Sequence, residues 1–205
     1  MSYVVEAPFV LPIGDDAGLM VRTPAIARAY HNLLVANQER LSRWEPWACA
    51  PLSLADTTGF LTASARRWAE GHELPLAIVV RSANGWELVG SCGLWLDDSR
   101  SAASIGYWID AWYEGRGLVT RSARALLHQA FGPYRLARVE ISTVAENVRS
   151  RAVAQRLGFT YEGVRRQAIA FPTGRCDQAI FGMLADEWTP AAASAAPAFS
   201  AAGAR

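Results

Sequence analysis

The sequence predicts an α/β (α+β) fold in which helices flank a mixed, mostly antiparallel central sheet. The predicted elements follow the order β-α-α-β-β-β-α-β-α-β-β. Asn84-Gly85 between two apolar runs is typical of a β-hairpin, so an antiparallel meander is expected around it. Residues 104–144 have the pattern strand, glycine-containing turn, helix and strand, which favours a parallel pair beside that meander.

A short strand, a helix, a loop and a second helix precede the hairpin. The strand is predicted over 19–22, and Thr23-Pro24 supplies an N-cap followed by a proline at the first helical position. A second helix over 53–72 begins with a serine and an aspartate in capping positions. The loop between the two helices contains Trp44, Pro46, Trp47 and Pro51.

The rest of the chain alternates strands with two further helices. Runs of β-branched and aromatic residues predict the strands, and apolar residues three and four apart predict the helices. The elements are strands over 75–81, 87–96 and 104–110, a helix from Leu118, a strand over 138–144, a helix after Asn147, a strand from 160 to 166, and a last strand ending near Leu184.

Length and composition indicate one globular domain over residues 1–188. The chain has 205 residues, enough for one sizeable core. Residues 189–205 are mostly Ala, Ser, Pro and Gly, and we expect a disordered tail because they bury too little to offset their ordering entropy. The net charge of +1 gives no electrostatic case for binding nucleic acid or an anionic membrane. No segment is apolar enough for a membrane span.

The cysteines argue against disulfides and metals. Cys49, Cys92 and Cys176 are widely spaced and odd in number, which suits neither a disulfide framework nor a zinc site. A reducing cytoplasm is the simplest compartment for such a chain. Acidic residues interrupt any apolar run at the beginning of the sequence, so no secretory signal is expected there.

Gly115 and Gly117 stand at a predicted strand-to-helix junction. Glycines there allow backbone N–H groups to point at one spot, and the helix N-terminus adds partial positive charge. Such a junction binds anions, most often phosphate, although two glycines also form ordinary turns. Thr120 replaces the third glycine of a Rossmann fingerprint, and no Gly-Lys-Ser/Thr follows for a Walker A loop.

Three further motifs surround this turn: Gly-Tyr-Trp-Ile at 106–109, Asn-x-x-Ser at 147–150 and Arg-Leu-Gly-Phe at 156–159. In this order the motifs resemble the GNAT superfamily of acetyl-CoA-dependent N-acetyltransferases, over residues from about 19 to 188. The frame is similar to the RimJ/RimL branch, which acetylates the N-termini of ribosomal proteins. The family's loop pattern Gln/Arg-x-x-Gly-x-Gly/Ala falls on Glu114-x-x-Gly117-x-Val119, so both ends depart from it.

The resemblance implies a GNAT fold and acetyl-CoA as the acyl donor, with no metal. The middle strands, 105–109 and 138–143, are expected to splay and admit the pantetheine arm, which pairs with the strand holding Trp108 and Ile109. A carboxylate at Glu114 is expected to repel phosphate unless it points to solvent. The CoA-binding residues implied are Trp108, Ile109, Gly115, Arg116, Gly117, Leu118, Val119, Thr120, Asn147, Ser150 and Arg156.

Several of these positions have an alternative, purely structural interpretation. Asn147 either bonds the pantetheine or caps a helix, and Arg156 either reaches phosphates or is solvated. Ser150 matches the serine that the branch places near the thiolate as an acid. The branch's glutamate base falls on Ile169, which leaves Glu140 as a candidate base or as an exposed residue of its strand. A water chain also suffices, because an N-terminal amine has a pKa of about 7.7–8.0.

The acceptor is expected in a groove built by the loop between the first two helices. Aromatic faces there either cap the core or grip a peptide N-terminus or a base. The function implied is direct transfer of acetyl to an α-amine of a protein N-terminus in a ternary complex. The alternatives are a small-molecule N-acetyltransferase, for an antibiotic or aminoacyl nucleotide, and a non-catalytic acyl-CoA-binding module. Homodimers are common in this family. The acceptor-side candidates are Trp44, Trp47, Tyr107 and Trp112.

Overall fold

One sheet of nine strands organises the computed structural model, which describes residues 3–7 and 10–189. The strand order is β2-β3-β4-β5-β6-β7-β9-β8, and β1 pairs with β5 outside this path. The strands are β1 (Val4–Val5), β2 (Leu11–Pro12), β3 (Ala17–Val21), β4 (Glu73–Ser82), β5 (Gly85–Leu96), β6 (Ala102–Ile109), β7 (Arg138–Val144), β8 (Thr160–Phe171) and β9 (Gly174–Leu184).

Four helices cover the two faces of the sheet. They are α1 (Ala27–Leu41), α2 (Leu54–Ala69), α3 (Leu118–Phe131) and α4 (Val148–Leu157). Helices α1 and α2 pack on each other and on β4 and β5, over a core that includes Tyr30, Leu33 and Leu61. Helices α3 and α4 pack on β5, β6 and β7, over a second core that includes Leu126 and Phe181. The mixed, mostly antiparallel sheet flanked by helices is thus confirmed.

The predicted order of elements holds, with differences at its beginning. Two short strands, β1 and β2, precede the first predicted strand and carry too few residues for an alternating pattern. Thr23 is the N-cap position of a 3-10 turn over Pro24–Ile26 that leads into α1, and its side chain makes no capping hydrogen bond. The second helix ends at Ala69 rather than at residue 72. The predicted tail lies outside the described residues, except for Thr189.

The sheet splits between β6 and β7, which form its parallel pair. Their pairing covers only Ala102–Ser104 against Arg138–Glu140, and the strands separate beyond these residues. The predicted splay is therefore present, but it begins at Ile141 on β7 rather than at residue 138. Strand β5 supports β6 through Ile109, and β9 supports β7 through Val144, so each half remains paired on its outer edge.

A buried ion cluster joins α2 to the sheet under the first core. Glu73, at the start of β4, is fully buried, and its Oε1 accepts a hydrogen bond from Arg22 Nη2 at 3.0 Å. Its Oε2 accepts from Arg67 Nε at 2.8 Å, and Ser64 donates to Oε1. Two cations are thus held by one carboxylate, in a place where an uncompensated charge is costly.

Replacing Glu73 by glutamine should reduce the free energy of unfolding by about 3 kcal/mol, because the buried Arg22 loses its counter-charge. Urea unfolding followed by circular dichroism measures this change. Glu70→Gln is the matched control, since Glu70 forms an exposed i,i+4 pair with Arg66 at 3.9 Å and should lose less than about 0.5 kcal/mol. Equal losses in the two variants would contradict the importance assigned to the cluster.

Candidate active site

A cavity of about 830 Å³ opens where β6 and β7 separate. Residues 105–109 and 141–143, from the two edges of the split, form part of its wall. The glycine turn, the beginning of α3 and the cavity-facing residues of α4 also line it. The end of α1 and the loop after it contribute Arg40, Leu41, Trp44 and Glu45. A cavity of this volume with mixed polar and apolar lining is typical of a small-molecule site.

The glycine turn before α3 lines the cavity with backbone N–H groups that have no acceptor. Gly115 and Gly117 have φ values of 74° and 72°, in the left-handed region that glycine adopts without strain. Within residues 3–7 and 10–189, no acceptor receives the backbone N–H groups from Gly115 to Thr120. Those at the beginning of α3 also carry the partial positive charge of the helix. The turn therefore fits a pyrophosphate group.

The cavity edge of β6 fits an extended ligand. Beyond Ser104 this edge has no strand partner, whereas the opposite edge stays paired with β5 through Ile109. An extended chain such as a pantetheine arm can therefore pair with the backbone of residues 105–109. Trp108, which also lines the cavity, is fixed by an edge-to-face contact with Tyr30, with the ring centroids 5.8 Å apart.

The sequence suggested that the carboxylate of Glu114 would repel phosphate at the anion site. In the structure this carboxylate is paired with cations. It pairs with Arg149 of α4 and with Arg40 of α1, whose Nη1 lies 2.8 Å from Oε1. Arg40 also donates to the carbonyl of Ile109 and, at 2.9 Å, to Asn37 Oδ1. The negative charge expected to repel phosphate is thus balanced by two guanidinium groups. These groups connect α1 and α4 to the loop that contains Glu114, between β6 and α3.

Ser150 and Tyr107 form a hydrogen-bonded pair in the cavity wall. The Tyr107 hydroxyl lies 3.1 Å from Ser150 Oγ and donates to the Ser150 carbonyl at 3.2 Å. Asn147 Oδ1 accepts from the backbone N–H of Ser150 at 3.1 Å, so Asn147 is the N-cap of α4. This cap holds Ser150 in the first turn of α4, opposite Tyr107 of β6. Asn147 also lines the cavity.

The phenol of Tyr107 is held in its protonated form. Burial raises the pKa of Tyr107 to about 12, although the hydrogen bond to Ser150 and the charge of Arg156 act in the opposite direction. The pair therefore keeps its two hydroxyl protons at neutral pH and can donate one to a group in the cavity. Arg156 lies in the cavity lining, close enough to Tyr107 to influence its pKa.

The predicted acceptor residues are only partly brought together. Trp44 and Tyr107 line the cavity, as does Tyr113. Trp112 does not line it, because its side chain is 84% exposed on the 3-10 turn after β6. Trp47 does not line it either, since its ring lies at the surface and its Nε1 donates to Glu45 Oε2 at 2.9 Å.

Two other predicted positions face away from the cavity. Glu140 is absent from the lining and lies beside Arg138, whose Nη2 is 3.4 Å from its Oε2. Of the two interpretations left open for Glu140, its position favours the residue of a paired strand over the candidate base, because its part of β7 is still paired with β6. Arg116 turns its guanidinium over the ring of Tyr113, 4.7 Å from the centroid, so only its backbone is available to an anion.

Sequence reasoning missed three charged residues at the site. Arg40 and Arg149 meet Glu114 only through tertiary contacts, and no local pattern predicts this. Glu45 also lines the cavity. Its position next to Trp44, in the loop expected to form the acceptor groove, was a signal that could have identified it.

Comparisons with known proteins agree with this geometry. The sequence model of the acetyltransferase (GNAT) domain matches residues 19–160. The chain is 30% identical over 183 residues to "Putative ribosomal N-acetyltransferase YdaF" of Bacillus subtilis (strain 168), covering 88% of this chain and 97% of that protein.

Two solved structures share the fold. RimL, described as a ribosomal L7/L12 alpha-N-protein acetyltransferase in complex with coenzyme A, is 23% identical with a TM-score of 0.81, covering 87% of this chain and 99% of that one. The microcin C7 self-immunity acetyltransferase MccE, in complex with acetyl-CoA and AMP, is 25% identical with a TM-score of 0.77, covering 87% and 97%. Neighbours of this fold thus bind CoA or acetyl-CoA.

The described residues contain neither a membrane-spanning helix nor a metal-binding cluster. Over 3–7 and 10–189, no helix is both long and apolar enough to cross a membrane. The same residues contain no group of three or more His, Cys, Asp or Glu side chains placed to hold a metal ion. The cytoplasmic location and the homodimer stay predictions.

Proposed function

Because the chain belongs to the GNAT family of acetyl-CoA-dependent N-acetyltransferases, we propose that it acetylates the N-terminal α-amine of a ribosomal protein. The observation that carries this proposal is the single cavity that joins the glycine turn, the split between β6 and β7, and an aromatic region at Trp44 and Tyr113. A donor held along the split then meets an acceptor that enters beside the aromatic residues.

The residues of the cavity have separate tasks in this reaction. Acetyl-CoA supplies an acyl group activated as a thioester. The N–H groups of Gly115 to Thr120 hold its pyrophosphate, and the free edge of β6 orients the pantetheine arm. The hydroxyl pair of Ser150 and Tyr107 supplies a proton to the departing sulfur. Orientation and proton supply are the main contributions that such a transfer needs from the protein.

Direct transfer is favoured over an acyl-enzyme. None of the described residues that line the cavity is a cysteine, and Cys92 is buried elsewhere, in the core. Burial raises the pKa of the Cys92 thiol to about 12, which keeps it protonated and a poor nucleophile. The acceptor amine therefore attacks the thioester itself, in a complex that contains both substrates.

Two observations support a protein N-terminus as the acceptor. One relative, matched over 88% of this chain, is named "Putative ribosomal N-acetyltransferase YdaF". An α-amine also has a pKa of about 7.7–8.0, so part of it is already neutral at physiological pH, whereas a lysine amine is almost fully protonated. We expect preference for α-amines over lysine side chains.

Aminoacyl nucleotides form a second candidate class of acceptor. MccE, whose structure contains acetyl-CoA and AMP, is 25% identical with a TM-score of 0.77. Trp44 and Tyr113 lie in the cavity wall, where an aromatic face can stack on a base. A polycationic drug is disfavoured because one of the two carboxylates in the described lining, that of Glu114, is already paired with two arginines, which leaves only Glu45 to meet several cations.

Release of free thiol from acetyl-CoA tests the proposal. The purified protein is given peptides that copy ribosomal-protein N-termini beginning with Ala, Ser, Met or Thr, and separately aminoacyl nucleotides and aminoglycosides. We expect acceptor-dependent release with the peptides and none with the same peptides blocked at the α-amine. Release with aminoacyl nucleotides alone would move the function to the second class. Acetyl-CoA binding without release on any acceptor would contradict both.

A further inference from the structure

We propose that Glu45 is the general base that takes the proton from the acceptor ammonium, an inference that rests on the proposed function. The residue that the sequence suggested for this task, Glu140, lies outside the cavity lining. Ile169, which occupies the position of the related branch's glutamate, lies on β8 opposite Cys176 and cannot accept a proton. The base must therefore come from another part of the site.

Two carboxylates line the cavity within the described residues, those of Glu45 and Glu114. Both oxygens of Glu114 are engaged, Oε1 by Arg40 and Oε2 by Arg149. Glu45 forms no ion pair in the same part of the chain, and one of its oxygens, Oε2, accepts a hydrogen bond from Trp47 Nε1 at 2.9 Å. Glu45 therefore retains an oxygen for an amine, beside the Trp44 ring expected to contact the acceptor.

The surroundings of Glu45 suit a base. Burial raises its pKa above the ordinary value of a glutamate carboxyl, and the Trp47 hydrogen bond opposes this only in part. The arginines nearest to Glu45 in sequence are already paired, Arg43 with Glu39 and Arg40 with Glu114. Strand β8, which contacts the Pro46–Cys49 turn after Glu45, carries exposed arginines that form no ion pair among the described residues: Arg165 and Arg166.

Proton transfer from the acceptor ammonium to Glu45 is the first step of the proposed reaction. An N–H bond of the acceptor ammonium breaks, an O–H bond forms on Glu45, and the electron pair stays on the nitrogen. The neutral amine then forms the C–N bond while the C–S bond of the thioester breaks. The Ser150–Tyr107 pair gives a proton to the departing sulfur, which forms the S–H bond. A second N–H bond on the acylated nitrogen breaks, and its proton restores the one that the pair has lost. Glu45 returns its own proton to solvent.

Glu45→Gln tests this step through the pH dependence of kcat/KM for the acceptor peptide. Without a base the variant uses only the neutral amine. Its rate should therefore be about 100-fold below wild type at pH 6.5 and approach it to within about tenfold at pH 8.5. The Kd for acetyl-CoA should change less than about twofold. Glu39→Gln, which removes an exposed carboxylate of α1 in contact with Arg43, should leave the profile unchanged.

A second readout needs neither acetyl-CoA nor acceptor. The ¹³C resonance of the Glu45 carboxyl, assigned by its absence in Glu45→Gln, should titrate at a pKa above the ordinary value of a glutamate carboxyl. Glu45→Asp keeps a carboxylate, so it should keep the acid limb of the wild-type profile at a lower rate. Should Glu45→Gln not fold, the resonance is assigned by its absence in Glu45→Asp instead, and the NMR titration and the aspartate variant still decide the question.

The outcomes separate the two proposals. Loss of transfer in wild type would overturn the proposed function itself. Full transfer in wild type with an unchanged pH profile in Glu45→Gln would overturn only the role of Glu45. A rise in the acceptor KM, with kcat and its pH dependence unchanged, would assign Glu45 to binding and also overturn its role as a base.

Discussion

Replacing Gly117 by valine is expected to weaken acetyl-CoA binding about 100-fold or more. The position has a φ of 72°, which a β-branched residue adopts only with strain, so the turn should open or shift. The N–H groups from Gly115 to Thr120 then no longer converge, and each lost hydrogen bond to a charged phosphate is worth about 1.5–3 kcal/mol. Isothermal titration calorimetry with acetyl-CoA measures the effect.

Gly71→Val is the matched control for this prediction. Gly71 has a φ of 76°, almost that of Gly117, but it lies in the turn after α2 and does not line the cavity. Both variants should lose a similar free energy of unfolding, about 1–3 kcal/mol, because the backbone strain is alike. Only Gly117→Val should lose affinity. Equal loss of affinity in both would mean that reduced stability, rather than the anion site, explains the effect.

The parts of the fold predicted from sequence are those with local signals. The Asn84-Gly85 hairpin, the strand over 138–144 and the helix from Leu118 appear where the residue pattern places them. Strands β1 and β2 were missed because two residues carry no periodicity and form only by pairing with β5 and β3. The split between β6 and β7 came from a family resemblance, because divergence of two strands has no local pattern.

In the candidate site, too, the residues predicted from sequence are those with local signals. The glycine turn and the N-cap Asn147 depend on short segments, and the structure places both in the cavity wall. The contact of Arg40 with Glu114 joins residues 74 positions apart, which spacing cannot reveal. The strand position of Glu140 alone did not fix its exposure to the cavity. Whether Glu140 faces the cavity depends on where the pairing of β6 with β7 ends.

The hydroxyl pair should act as one unit in the proton supply to sulfur. Tyr107→Phe and Ser150→Ala should each reduce the single-turnover rate of acetyl transfer about 10- to 100-fold, because each removes one end of the 3.1 Å contact. The double variant should be no slower than the slower single variant, since residues that work together are non-additive. Tyr134→Phe removes a phenol outside the cavity lining and should leave the rate unchanged.

The pH dependence of the wild-type rate gives an independent check on this pair. Because the pKa of Tyr107 is raised to about 12, the phenol stays protonated as pH rises, and its contribution is lost only on passing through that value. Up to about pH 10, ionisation of Tyr107 should therefore cause no fall in the single-turnover rate. Any fall in this range should persist in Tyr107→Phe. An alkaline limb near pH 8 that is absent in Tyr107→Phe would contradict the raised pKa of Tyr107. Strictly multiplicative effects of the two substitutions would show that Tyr107 and Ser150 do not act through a shared proton.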